Sequence, residues 1–144
     1  MDPLSPQNNQ PVQDPSSNPG IKKKVLLVED DEALASAYTT RLVAEGFELK
    51  RVKNGEEALA ATLEFKPDLI LLDAMMPKVS GFDVLDIIRN TPATANIRVI
   101  MLSALSQESD QKRAKDLGAD DYLIKSQVMI TDVVATVKKH LNLA

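Results

Sequence analysis

Glu29, Asp30 and Asp31 follow one short aliphatic run of this 144-residue chain, Asp73 follows a second, Ser103 a third and Lys125 a fourth. Each has an ordinary explanation by itself: an acid or a serine after a strand can cap the next helix, and a lysine is usually solvated. If the fold brings them to one rim, they become a chemical set. Carboxylates gathered without a counter-charge repel one another and their pKa values rise, so the set calls for a cation. A divalent ion in hard oxygen donors, helped by the Lys125 ammonium, meets that need. Mg2+ characteristically combines a few carboxylates with waters and phosphate oxygens. A carboxylate can also act as a nucleophile while its neighbours position the reactants and neutralise charge on a transferring phosphoryl group. Asp73 is the candidate nucleophile.

The elements that must position these groups are readable from pattern. Apolar runs at 24–28, 48–52, 68–72, 98–102 and 121–124 read as strands. Between and after them, helical spacing is predicted over 31–45, 56–65, 82–89, 106–117 and 131–141, with Leu34, Tyr38 and Leu42 forming one stripe and Val133, Val134, Val137 and Leu141 another. Asn54-Gly55 and Ser80-Gly81 open helices, while Gly46 and Gly118 stand where helices should stop. Five βα units in succession imply an α/β fold: a doubly wound parallel sheet of five strands flanked by five helices, with its site outside the carboxyl ends of the strands. The fourth helix is nearly all polar, with only Ala114 and Leu117 to pack, and is expected to be mobile.

Here the residues reach a known family. Val25-Leu26-Leu27-Val28-Glu29-Asp30-Asp31, Asp73-Ala74-Met75-Met76-Pro77, Ser103-Ala104 and Asp121-Tyr122-Leu123-Ile124-Lys125 resemble the receiver domains of bacterial two-component response regulators, in the family's order and over about residues 22–141. The resemblance implies a flavodoxin-like strand order 2-1-3-4-5 and a stand-alone module of the chemotaxis-regulator kind. It implies that Asp73 accepts a phosphoryl group from a histidine kinase or phosphotransfer protein. Mg2+ would be held by Asp73, an acidic pair after the first strand and the backbone carbonyl of Met75. The family's pair begins directly after the strand, whose last residue here is Val28, so the resemblance makes Glu29 and Asp30 the pair and leaves Asp31 to cap the helix; Asp30 with Asp31 is the other register. Lys125 matches the lysine that contacts the phosphoryl group, Ser103 the hydroxyl residue that turns toward it, Ala104 the small residue that keeps access open, and Tyr122 the switch aromatic. Met75 and Leu105 match positions flanking the phosphoryl group. Both are apolar, unable to orient water, and slow self-dephosphorylation is expected.

Ser126 departs from the pattern, because the family commonly has a cis proline after the lysine. A cis bond without proline costs about 2.5 to 4 kcal/mol, so either the bond is kept at that cost or the loop takes another path. His140, the single histidine, falls in the last helix and is expected to be solvated there. Lys22, Lys23 and Lys24 precede a buried strand and carry no assigned function.

Composition sets the remaining bounds. Residues 1–20 hold five of the eight prolines among Gln, Asn and Ser and read as a disordered tail, leaving 21–144 as the domain. A net charge of −4 argues against a phosphate-tracking nucleic-acid surface. No cysteine is present, which removes thiolate chemistry. No apolar run approaches a membrane span and no basic-then-apolar leader opens the chain, so the cytoplasm is expected. With no output domain after the last helix, output is expected through contact with a downstream protein. Two other readings compete. An aspartyl-phosphate hydrolase would often carry a second acid two residues after its nucleophile, where this chain has Met75. A receiver-like interaction module without phosphate turnover would not need Glu29, Asp30, Asp73, Ser103 and Lys125 together.

Overall fold

A computed structural model describes residues 22–143. The elements alternate as β1 (Lys24–Val28), α1 (Glu32–Ala44), β2 (Glu48–Val52), α2 (Gly55–Phe65), β3 (Leu69–Leu72), α3 (Gly81–Arg89), β4 (Arg98–Ser103), α4 (Glu108–Asp116), β5 (Asp121–Ile124) and α5 (Ile130–His140). All neighbouring strands pair in parallel, in the order β2-β1-β3-β4-β5. This is the doubly wound arrangement that the alternation predicts, in the flavodoxin-like order that the family resemblance implies. The tail expected over residues 1–20 lies outside the described residues.

The sheet is a plate with two apolar faces, as strands of Leu, Ile and Val require. Side chains alternate across it. Leu26, Val28, Ile70, Leu72, Val99 and Met101 pack with Ala58, Ala61, Val84, Leu85, Ile88 and Ala114, which belong to α2, α3 and α4. Val25, Leu27, Leu69, Leu71, Ile100 and Leu102 pack with Ala35, Tyr38, Leu42, Val133, Val134 and Val137, which belong to α1 and α5. All four residues of β3 are fully buried. At about 1.5 to 3 kcal/mol for each such side chain, this strand is a main anchor of the sheet, and Asp73 is the residue that follows it.

Element ends differ from expectation for local reasons. β3 starts at Leu69 because the Asp68 carboxylate accepts the Lys24 N–H at 2.7 Å. β4 runs on to Ser103, which pairs with Ile124, so the serine belongs to the strand. α4 is shorter than the span 106–117: it starts at Glu108, its cap Gln107 makes no side-chain bond, and Ala114 is its one buried residue. α5 starts at Ile130, where Asp132 accepts the Met129 N–H at 2.7 Å. Among the described residues, no helix is long and apolar enough to cross a membrane.

Candidate functional site

The chain builds β1, then β2 on one side of it, then β3 on the other. The crevice left at the carboxyl ends of β1 and β3 is the topological switch point of such a sheet. Glu29 to Asp31 form the short turn after β1, and Asp73 opens the loop after β3. One ligand oxygen each from Glu29, Asp30 and Asp73 can be chosen within 4.8 Å of one another. Asp31 is engaged elsewhere: its carboxylate accepts the Leu34 N–H at 2.9 Å as the cap of α1.

Lys125, just past β5, reaches back across the crevice. Its Nζ lies 2.6 Å from Glu29 Oε1 and 3.1 Å from Asp73 Oδ2. The shorter contact is to Glu29, a partner that the family pattern did not single out. Burial raises the pKa of the Glu29 carboxyl, against the opposing hydrogen bonds from Lys125 and the Asp31 N–H. Burial also raises Asp73, although the Met75 N–H, at 3.1 Å, and Lys125 stabilise its charge; the Asp30 charge adds to the rise. Burial works against the Lys125 charge, but its hydrogen bond to Glu29 and the Asp73 charge outweigh that, and its pKa is raised. Three carboxylates facing one ammonium leave an uncompensated charge of about −2. Hard oxygens with that deficit suit a divalent cation such as Mg2+.

The remaining predicted residues fall around this crevice. Ser103 is fully buried and its Oγ accepts the Leu105 N–H at 3.0 Å. Ala104 is exposed. Tyr122 is half-buried and its hydroxyl donates to the Leu105 carbonyl at 2.8 Å. Burial raises its phenol, opposed by the neighbouring Ser103 hydroxyl. Met75 and Leu105 line one open groove of about 500 Å3 beside Asp73, together with Met76, Pro77 and Phe82. All described peptide bonds are trans, so the Lys125–Ser126 loop takes another path than the cis proline one, and Lys125 still reaches both carboxylates.

Two residues gain importance from the structure. A Cβ on Gly81 would lie 2.1 Å from the Asp73 carbonyl oxygen and 2.8 Å from the Ala74 Cα. The first turn of α3 therefore presses on the backbone that carries Asp73; the sequence signal was only a helix-opening Ser-Gly. His140 corrects an expectation: it is not simply solvated but sits 2.9 Å from Asp121 Oδ2 with its side chain 16% exposed. Only the packing of α5 on the start of β5 brings the two together.

A family described as response regulator receiver domain matches residues 25–138. The chain belongs to that family. The receiver domain is 40% identical over 121 residues to the phosphate regulon transcriptional regulatory protein PhoB of Rhizobium meliloti, a match covering 84% of this chain and 53% of the relative. It is 39% identical over 102 residues to the DNA-binding dual master transcriptional regulator RpaA of Synechocystis, covering 71% and 42%. The chain thus spans about half the length of these curated relatives. Among solved structures, it is similar to a putative response regulator from Chloroflexus aurantiacus, with a TM-score of 0.79, 30% identity and coverage of 85% of this chain and 99% of the other. The aspartyl-phosphate hydrolase is thereby not the family of this chain. Receiver domains are signalling proteins, and this one is a two-component receiver by fold and by sequence.

Proposed function

We propose that this receiver domain takes a phosphoryl group onto Asp73 and signals by phosphorylation-dependent protein contact. The observation carrying this reading is the Lys125 ammonium placed between Glu29 and Asp73 at the switch point of the sheet. One Asp73 carboxylate oxygen attacks phosphorus and forms an acyl phosphate. The bond from phosphorus to the donor breaks, and the donor departs with the electron pair. A histidine kinase or phosphotransfer protein is the donor of this reading, and it operates in the cytoplasm.

Glu29, Asp30, Asp73 and the Met75 carbonyl would hold Mg2+. Bound there, the ion supplies charge neutralisation for the phosphoryl oxygens. Lys125 holds Asp73 in place and offers its ammonium to the incoming group. Ser103 and Tyr122 respond to it: turning the serine toward the phosphoryl group surrenders the Leu105 N–H, and Leu105 is also the partner of Tyr122. A rearrangement there biases two surface states. The face that reports it is α4, β5 and α5, where α4 is held by little packing. The relatives named as transcriptional or DNA-binding regulators are about twice as long, and the net charge of −4 favours a protein rather than nucleic acid as the receiver's own target.

Incubation with Mg2+ and a small phosphodonor, followed by intact mass of wild type and Asp73→Asn, tests this. A phosphoryl gain that needs both Mg2+ and Asp73 is expected. No gain, under conditions that modify a control receiver, would favour an interaction module without turnover.

A further inference from the structure

β2 carries no strand-end residue of the predicted set, yet its penultimate side chain reaches the acidic turn. Arg51 pairs with Leu27 of β1. Its Nε donates to the Glu29 backbone carbonyl at 2.8 Å, and its Nη1 donates to Glu32 Oε1, in the first turn of α1, at 3.0 Å. The Glu29 N–H is already bonded to the Val52 carbonyl at 3.1 Å. After Val52, β2 turns away, and the Lys53 N–H goes to Glu57 Oε1 at 2.8 Å rather than across to β1. The guanidinium thus supplies the rung that the backbone ladder stops providing.

The bond bears directly on Asp30. The Glu29 carbonyl and the Asp30 nitrogen share one planar peptide unit, so a donor fixed on that carbonyl sets the direction in which Asp30 leaves the strand. Asp30 is exposed, and among the described residues its side chain takes part in no hydrogen bond or ion pair of the crevice. Glu29 and Asp73 are instead buried and held by Lys125. The orientation of Asp30 therefore depends on its backbone.

Resting on the reading of this crevice as a metal site, we propose that Arg51 is a positioning residue that sets the acidic turn for cation binding through the Glu29 carbonyl. It acts by geometry rather than by charge. A flat, forked donor suits this task, reaching a carbonyl and a carboxylate at once. Stability alone is a poor reason for arginine here, because its Nη2 is buried without a partner among the described residues and such a group is costly.

The test is Mg2+ binding to the full chain by isothermal titration calorimetry, with thermal denaturation of every variant. Partners around a metal site typically change affinity by 10 to 100-fold, so Arg51→Ala is expected to raise the Mg2+ Kd about tenfold or more. Arg51→Lys, which keeps the charge and loses the fork, should weaken binding nearly as much. Glu32→Gln, which leaves the Glu29 bond intact, should stay near wild type. Phosphoryl uptake in Arg51→Ala should recover at saturating Mg2+. A folded Arg51→Ala with a Kd within twofold of wild type, even with a lowered Tm, reduces Arg51 to a stabilising residue and overturns the proposal. A wild-type Kd in Arg51→Lys overturns it too, since charge would then suffice. If Arg51→Ala does not fold, Arg51→Lys carries the test alone. Wild type that binds no Mg2+ refutes the metal reading and this proposal with it, whereas unchanged variants beside a binding wild type refute only the role of Arg51.

Discussion

The Tyr122 hydroxyl donates across 2.8 Å to the backbone carbonyl of Leu105, joining β5 to the loop between β4 and α4. The N–H of the same Leu105 donates to Ser103 Oγ at 3.0 Å. One residue thus ties the buried serine of the crevice to the tyrosine of the α4 and β5 face. Removing the hydroxyl should cost what a typical hydrogen bond contributes. Tyr122→Phe is expected to lose about 1 kcal/mol in urea denaturation while taking up phosphoryl groups at the wild-type rate, because Asp73, Glu29 and Lys125 are untouched. A much larger loss, or a block in uptake, would mean that the tyrosine supports the crevice itself.

Alkaline titration offers a second check. Tyr38 and Tyr122 are the two tyrosines of the chain, and tryptophan is absent, so absorbance near 295 nm reports only these phenols. Burial raises both above their ordinary value near 10. A folded pKa above the unfolded one means stability that is complete below the unfolded value and lost as pH rises through the folded one. Lys125, also raised, acts in the same direction. The free energy of unfolding should therefore fall above about pH 10, and both phenols should titrate later than in urea. Tyr122→Phe should remove one of the two absorbance steps; two steps in that variant would contradict the assignment.

The contact of α3 with Asp73 predicts an effect where no polar group is changed. In Gly81→Ala the new Cβ would meet the Asp73 carbonyl oxygen and the Ala74 Cα, both backbone, so either α3 or the end of β3 must move. Overpacking of this kind costs roughly 1 to 3 kcal/mol. The variant should melt earlier and, because the displaced backbone carries the phosphoacceptor of our reading, accept phosphoryl groups more slowly. Equal loss of stability with normal uptake would show that α3 gives way and β3 does not.

The parallel sheet was legible because aliphatic runs alternate with helical stripes, a pattern compatible with few topologies, while its strand order came from the family resemblance. The strand-end residues were legible for the same reason: once β1, β3, β4 and β5 run in parallel, Glu29, Asp73, Ser103 and Lys125 must arrive at one edge. What was hidden depends on side-chain reach across elements. The 2.6 Å contact of Lys125 with Glu29, the bond from Arg51 to the Glu29 carbonyl and the pairing of His140 with Asp121 join residues 96, 22 and 19 positions apart. No local pattern encodes such pairs. The shortened α4 has a different reason: the chain enters it at Gln107 with no side-chain bond to cap it, so the helix starts at Glu108.

Met75 carries the last prediction. The residue is 55% exposed and lines the open groove beside Asp73, so water reaching an acyl phosphate on Asp73 would meet a thioether there. A thioether accepts hydrogen bonds weakly and donates none, which leaves the water free to approach in any orientation. An amide at the same exposed position could hold it in line for attack, and such positioning is an established source of rate. Met75→Asn is expected to shorten the phosphoryl lifetime by roughly tenfold, followed by intact mass after donor removal, with little change in melting temperature because the side chain is exposed. An unchanged lifetime would count against slow turnover arising from this side chain and shift attention to Leu105 on the other wall of the groove.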